Sequence, residues 1–145
     1  EGAPNLPPMT DGIWSGGRNF SVFKVDDGTL AYDGMDKLEQ TALILGVYPD
    51  TRSEIRGIEP NGVAVGRIAD KPALAVSSHH ANGVFFFQLN KLDGPFFYGM
   101  VMSSGRKPVE VTGFQTKDGF MSVDEDGMLS VYMPIINDRE TGTGH

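Results

Sequence analysis

Apolar positions in this chain gather in short β-rich runs, some of which alternate with polar positions as strands with one face in a core do. Nine such runs, rich in β-branched and aromatic residues, are present: Phe20–Val25, Thr29–Tyr32, Gly62–Ile68, Ala73–His80, Val84–Leu92, Phe96–Ser104, Val109–Thr116, Phe120–Val123 and Met128–Met133. The pattern is clean in Val109–Thr116, where Val109, Val111 and Gly113 oppose Glu110 and Thr112. It is imperfect in Phe20–Val25, where Lys24 shares a face with Phe20 and Val22. Eight of the 19 glycines directly follow Asp or Asn, and Asx-Gly suits the type I′ turns that close hairpins. Pro72, Pro95, Pro108 and Pro134 stand at run ends, where a missing N–H harms no central ladder. The expectation is an all-β fold, an antiparallel β-barrel or a two-sheet β-sandwich of about nine hairpin-connected strands.

One stretch departs from this pattern. Met35–Gly46 places Leu38, Ala42 and Leu45 on one helical face, sets Asp36 and Glu39 at capping-box spacing and ends in a glycine. It predicts one short helix around residues 36–45, although the apolar run Thr41–Tyr48 also suits a strand. Residues 1–10 are Pro-rich and read as an extended arm, residues 11–136 as one all-β domain, and 137–145 as a polar tail. Asn19–Tyr32 and Gly119–Tyr132 share a Phe, a Ser-Val, an Asx-Gly turn and a following Leu. Two hairpins built to one rule would look this alike without being a repeat.

The most unusual segment is Val84–Ser104. Phe85, Phe86 and Phe87 are consecutive, and Phe96, Phe97 and Tyr98 answer them beyond the Asp93–Gly94 turn. Consecutive aromatics put rings on both faces of a hairpin, so both faces need cover. A central hairpin between two layers of one domain meets that need. So does a subunit interface, or an apolar ligand cavity, and Met100 and Met102, of the same parity as Phe96 and Tyr98, suit either.

Composition narrows the function classes. Lys and Arg number 12 against 19 Asp and Glu, a net charge of −7, and Arg106–Lys107 is the densest basic pair. Nucleic acid is not an expected partner, because binding it needs a basic stripe. No apolar run approaches the roughly 18 residues of a spanning helix. The absence of cysteine excludes disulfides, thiol catalysis and thiolate metal sites. A chain starting at Glu1 rather than Met fits removal of a leader, which favours an exported protein.

Candidate chemistry is sparse. His79 and His80 are the histidines besides His145, and neighbours in a regular strand point to opposite faces. They are therefore not expected to chelate one metal, though either could act as a general base facing Ser77 or Asp70. Asp124 and Asp126 are weak calcium candidates, since turn chemistry explains them and a full calcium loop is missing. No metal or cofactor is expected. Asn19–Phe20–Ser21 is a formal glycosylation triplet. Trp14 is an interface or ligand-contact candidate beside its reading as a core or barrel-end residue, and Gly12-Ile13-Trp14 resembles, over three residues only, the start of lipocalin-like barrels.

The favoured reading is a non-enzymatic exported protein, a structural or accessory subunit acting through its aromatic hairpin, as a homo-oligomer or in a larger assembly. The alternatives are a barrel that binds a hydrophobic small molecule or glycan, and a small barrel isomerase or cyclase with a hydrophobic substrate.

Overall fold

Alternation decides which way each strand faces, and the strands arrange themselves as three open antiparallel sheets. The structure is a computed structural model and describes residues 18–90 and 94–135. The first sheet pairs β1 (Ser21–Phe23) with β2 (Leu30–Asp33). The second runs in sequence order through β3 (Pro60–Ile68), β4 (Lys71–Ser78), β5 (Gly83–Asn90) and β6 (Gly94–Met102). The third is likewise a meander of β7 (Pro108–Gly113), β8 (Phe120–Asp124) and β9 (Leu129–Tyr132). Each of the nine expected runs contains a strand, and the arrangement is sandwich-like. Among the described residues there is no closed barrel, because every sheet keeps two unpaired edges. That excludes the barrel form of the expectation. The arm at 1–10, the tail at 137–145 and Trp14 lie outside the described residues.

The segment that breaks the two-residue period is helical. Helix α1 spans Lys37–Ile44 and buries Leu38 and Ala42, so the strand alternative for Thr41–Tyr48 fails. Its C-terminus is a Schellman motif: Gly46 takes φ +70°, its N–H reaches the Leu43 carbonyl, and the Val47 N–H reaches Ala42. The expected capping box does not form. Asp36 accepts from Gln40 instead, and Glu39 reaches across to the Ile58 N–H and the Tyr48 hydroxyl. Leu45, expected on the buried face, is 46% exposed because the helix has already ended.

The second sheet has cover on both faces. Along β4 and β5 the side chains Leu74, Val76, Phe85 and Phe87 enter one core, together with Phe20 just before β1, Leu38 and Ala42 of α1, and Ile58 of the loop before β3. The opposite parity, Ala73, Ala75, Val84 and Phe86, enters a second core with Val111, Phe120 and Tyr132 of the third sheet. Ring centroids stand 4.8 Å apart for Phe20–Phe87 and 5.4 Å for both Phe86–Phe120 and Phe86–Tyr132, within the range of favourable aromatic pairs.

The second and third sheets approach most closely where β3 crosses β7. A Cβ on Gly113 would stand 2.5 Å from the Val65 carbonyl oxygen and 2.9 Å from the Gly66 Cα. Asn61 ties the same crossing, donating to the Pro108 carbonyl and accepting from Ser77. It is the bulged residue of β3, so Asn61–Gly62 lies inside a strand rather than in a turn as its dipeptide suggested. The β3–β4 turn is made instead by Ala69 and Asp70, both at positive φ.

Gly113→Ala should therefore cost about 1–3 kcal/mol, the usual penalty of overpacking, because backbone atoms rather than a mobile side chain are in the way. Gly99→Ala on β6 meets nothing within 4 Å and should gain up to about 0.5–1 kcal/mol, since glycine is a poor strand residue. Urea midpoints at constant slope check both signs. A neutral Gly113→Ala would contradict the close crossing.

Candidate functional site

Polar chemistry gathers at the end of the second sheet where β3 begins and β4 ends. The chain enters β3 through Glu59, a non-glycine residue at φ +49°. The His79 N–H donates to the Glu59 carbonyl and the His80 N–H to Ile58, each at 3.0 Å, so both histidines are anchored beside Glu59. They lie just past the last residue of β4, in the turn to β5, where strand alternation no longer applies. Their rings consequently face the same way, with centroids 4.8 Å apart. The expectation that adjacent histidines diverge is overturned for that reason.

The site is organised around the Glu59 carboxylate. Oε1 pairs with the Arg56 guanidinium. Oε2 lies 2.8 Å from His80 Nε2 and 3.6 Å from His79 Nδ1. The other ring nitrogen of His79 is 2.9 Å from Glu125 Oε1, and Lys107 Nζ is 3.2 Å from Glu125 Oε2. Among the described residues, Glu59, His79 and His80 form a group of possible metal ligands whose donor atoms all lie within 4.8 Å of one another. Their side chains are mostly buried yet reach solvent.

Burial opposes the charge on Glu59, but the Arg56 hydrogen bond and charge, aided by both histidines, hold its carboxyl below the usual range. Burial pushes His80 below its ordinary value; Glu59 works against this, while His79, Arg52 and Lys107 add to the lowering. Hydrogen bonds from His79 and Lys107 lower Glu125. The cluster at neutral pH thus holds two carboxylates and an uncharged His80 whose Nε2–H faces Glu59 Oε2.

The other candidates are dispersed. Ser77 hydrogen-bonds with Asn61, and Asp70 sits in the β3–β4 turn at the far end of β4 from His79. Asp124 is buried and accepts from the Ser103 hydroxyl, which also contacts Ser130, while Asp126 Oδ1 accepts from the Met128 N–H within its own turn. Asn19 of the glycosylation triplet donates to Asp33.

In the aromatic hairpin, Phe85, Phe86 and Phe87 are all buried in the two cores. On β6 a bulge changes the expected parity: Phe87 pairs with Phe97 but Phe86 pairs with Gly99, so Tyr98 is the extra residue. Phe97 and Met100 therefore both pack on the first core, and Met100 parts from Tyr98. Phe96, Tyr98, Val101 and Met102 stay half-exposed. Beside them lies an apolar cleft of about 160 Å³, with Phe86, Tyr98, Phe120 and Tyr132 among its walls. Of this picture the sequence reading missed Glu59, Arg56 and Glu125. Their signal was the β3–β4 register, which brings Glu59 level with His79 once the Asn61 bulge is counted.

Comparison with known families adds an independent line. Residues 8–92, more than half of the chain, match the choice-of-anchor I domain. The chain belongs to the choice-of-anchor I domain family. Membership points to an exported or cell-surface protein, and among the described residues no helix is long and apolar enough to cross a membrane. The matched stretch of this choice-of-anchor I chain includes Glu59, His79, His80 and β5, whereas β6 to β9, Lys107 and Glu125 lie beyond it. No curated protein and no solved structure matches the chain.

In chelator-treated protein, the His80 ring should titrate below 6.5, and Glu59→Gln should lower it further by removing the carboxylate that favours the imidazolium. Because the unfolded chain then takes up the proton first, the His80 contribution to stability is complete above pH 6.5 and declines as pH falls towards the folded value. Ring-proton NMR titration measures both, and a His80 midpoint that rises in Glu59→Gln contradicts the arrangement.

Proposed function

We propose that this choice-of-anchor I chain is a structural subunit of an exported assembly, and that copies of it join through the apolar edge at β6. One observation carries the reading. The edge strand β6 contains no charged residue from Gly94 to Met102 and leaves Phe96, Tyr98, Val101 and Met102 half-exposed. Monomeric proteins blunt such edges with Lys, Pro or a cover, because unpaired N–H and C=O groups invite another strand. On β6 only Pro95, at its start, serves this way and leaves Phe96 to Met102 open. The bulge at Tyr98 alters the edge without adding a charge. On β9, the neighbouring edge of the third sheet, Leu129 and Val131 are also exposed, and Met133 just beyond it borders the cleft.

The ligand-binding reading has a narrower basis. The cleft beside β6 is apolar, but its volume of about 160 Å³ is below the roughly 300–1,000 Å³ of sites that enclose drug-sized ligands. It serves better as the seat of a partner's side chain. The three buried phenylalanines support the assembly by stiffening the strand behind the edge rather than by forming the contact.

Light scattering tests the proposal. The wild-type chain should have a mass that is a multiple of the monomer, and Tyr98→Asp should return it to the monomer without unfolding, since Tyr98 is 58% exposed. Phe86→Asp cannot serve as this test because Phe86 is buried. A wild-type chain that stays monomeric at high concentration sinks the proposal.

A further inference from the structure

We infer that Glu59, His79 and His80 form a binding site for one divalent first-row transition metal ion, with zinc as the natural probe. The inference stands apart from the use of the β6 edge, since it concerns the loop before β3 and the turn between β4 and β5 and needs no second copy.

Three features of the geometry suit a metal ion. The first is spacing. Ligand atoms on neighbouring corners of a tetrahedron with bonds of about 2.0–2.1 Å stand roughly 3.3 Å apart. The separations of 2.8 Å and 3.6 Å from Glu59 Oε2 to His80 Nε2 and His79 Nδ1 lie either side of that value. An ion that displaces the His80 Nε2 proton therefore needs only a small shift of the rings. The second is the orientation of the donors. Arg56 occupies Glu59 Oε1 and leaves Oε2 as a single-oxygen ligand towards the rings. Glu125 accepts from His79 Nε2, which fixes the tautomer with its lone pair on Nδ1, facing Glu59. A carboxylate behind a histidine is the common outer partner of a metal-bound imidazole.

The third is the backbone. His79 and His80 are fastened to Glu59 and Ile58 by main-chain bonds, so the donors converge before any ion arrives. Two imidazoles and one carboxylate suit zinc and its neighbours in the first transition row, whereas calcium prefers six to eight oxygens. Such a set leaves coordination positions for water or for a group from outside the chain. Of the positive charges nearby, Arg56 pairs with Glu59 and Lys107 with Glu125, while Arg52 adds a further positive charge near His80.

The test is zinc titration of the purified, chelator-treated chain by calorimetry, with ring-proton NMR on the same samples. The expected result is one Zn²⁺ per chain, with the His79 and His80 signals shifting while His145 does not. Glu59→Gln, His79→Gln and His80→Gln should each abolish the site, and Glu125→Gln, a positioning change, should weaken it by roughly 10–100-fold. Urea midpoints of the metal-free variants establish that each is folded. The wild-type NMR shifts need no variant, so the inference stays testable even where a substitution unfolds the chain. No binding by the wild type, shifts at His145 alone, or unchanged binding in the folded Glu59→Gln variant would overturn it.

Discussion

A strand that is aromatic on both faces cannot rest on one layer, and this constraint organises the molecule. Three consecutive phenylalanines in β5 send Phe85 and Phe87 one way and Phe86 the other, so each face demands its own cover. The first sheet and α1 meet one demand and the third sheet meets the other. Fully burying a phenylalanine is worth about 1.5–3 kcal/mol, so three in one strand outweigh any single turn or surface pair. The four-strand order follows, because β5 and β4 must be central and the less apolar β3 can lie at an edge.

The edge of the second sheet and the turn after β4 then present different chemistry. Along β6, the bulge at Tyr98 and the chain beyond β9 frame an apolar cleft beside an uncharged edge. In the turn after β4, His79 and His80 are released from strand alternation and both lie beside Glu59. A rigid sheet holding reactive groups on its connecting loops is a common division of labour. Family membership extends over the histidine end and stops before β6, so the part of the chain carrying the exposed edge lies outside the matched domain.

Much of the fold was legible from local signals. Short β-rich runs between turn signals located the nine strands, and the change to helical spacing located α1. What stayed hidden depends on register. Ala69–Asp70 forms a tight turn without the Asx-Gly signature, and Asn61–Gly62 carries that signature inside a strand. With the turn unseen, nothing in the sequence placed Glu59 opposite His79. The same holds for β6, where one bulged residue reassigns Met100 to the other face. Glu125, 46 residues from His79, joins the cluster only through the packing of the third sheet on the second. Turn type and bulges are set by contacts far along the chain, and a single sequence does not display them.

The central claim is that β5 couples two cores into one cooperative unit. Native-state hydrogen exchange of Phe86→Ala tests it most directly, since this change opens a cavity only on the side of the third sheet. Losing the ring should cost about 3–5 kcal/mol. The account predicts that amides in α1 and in β7 to β9 lose protection together and by the same factor. Faster exchange confined to β7–β9, with α1 and the first sheet unchanged, would contradict it.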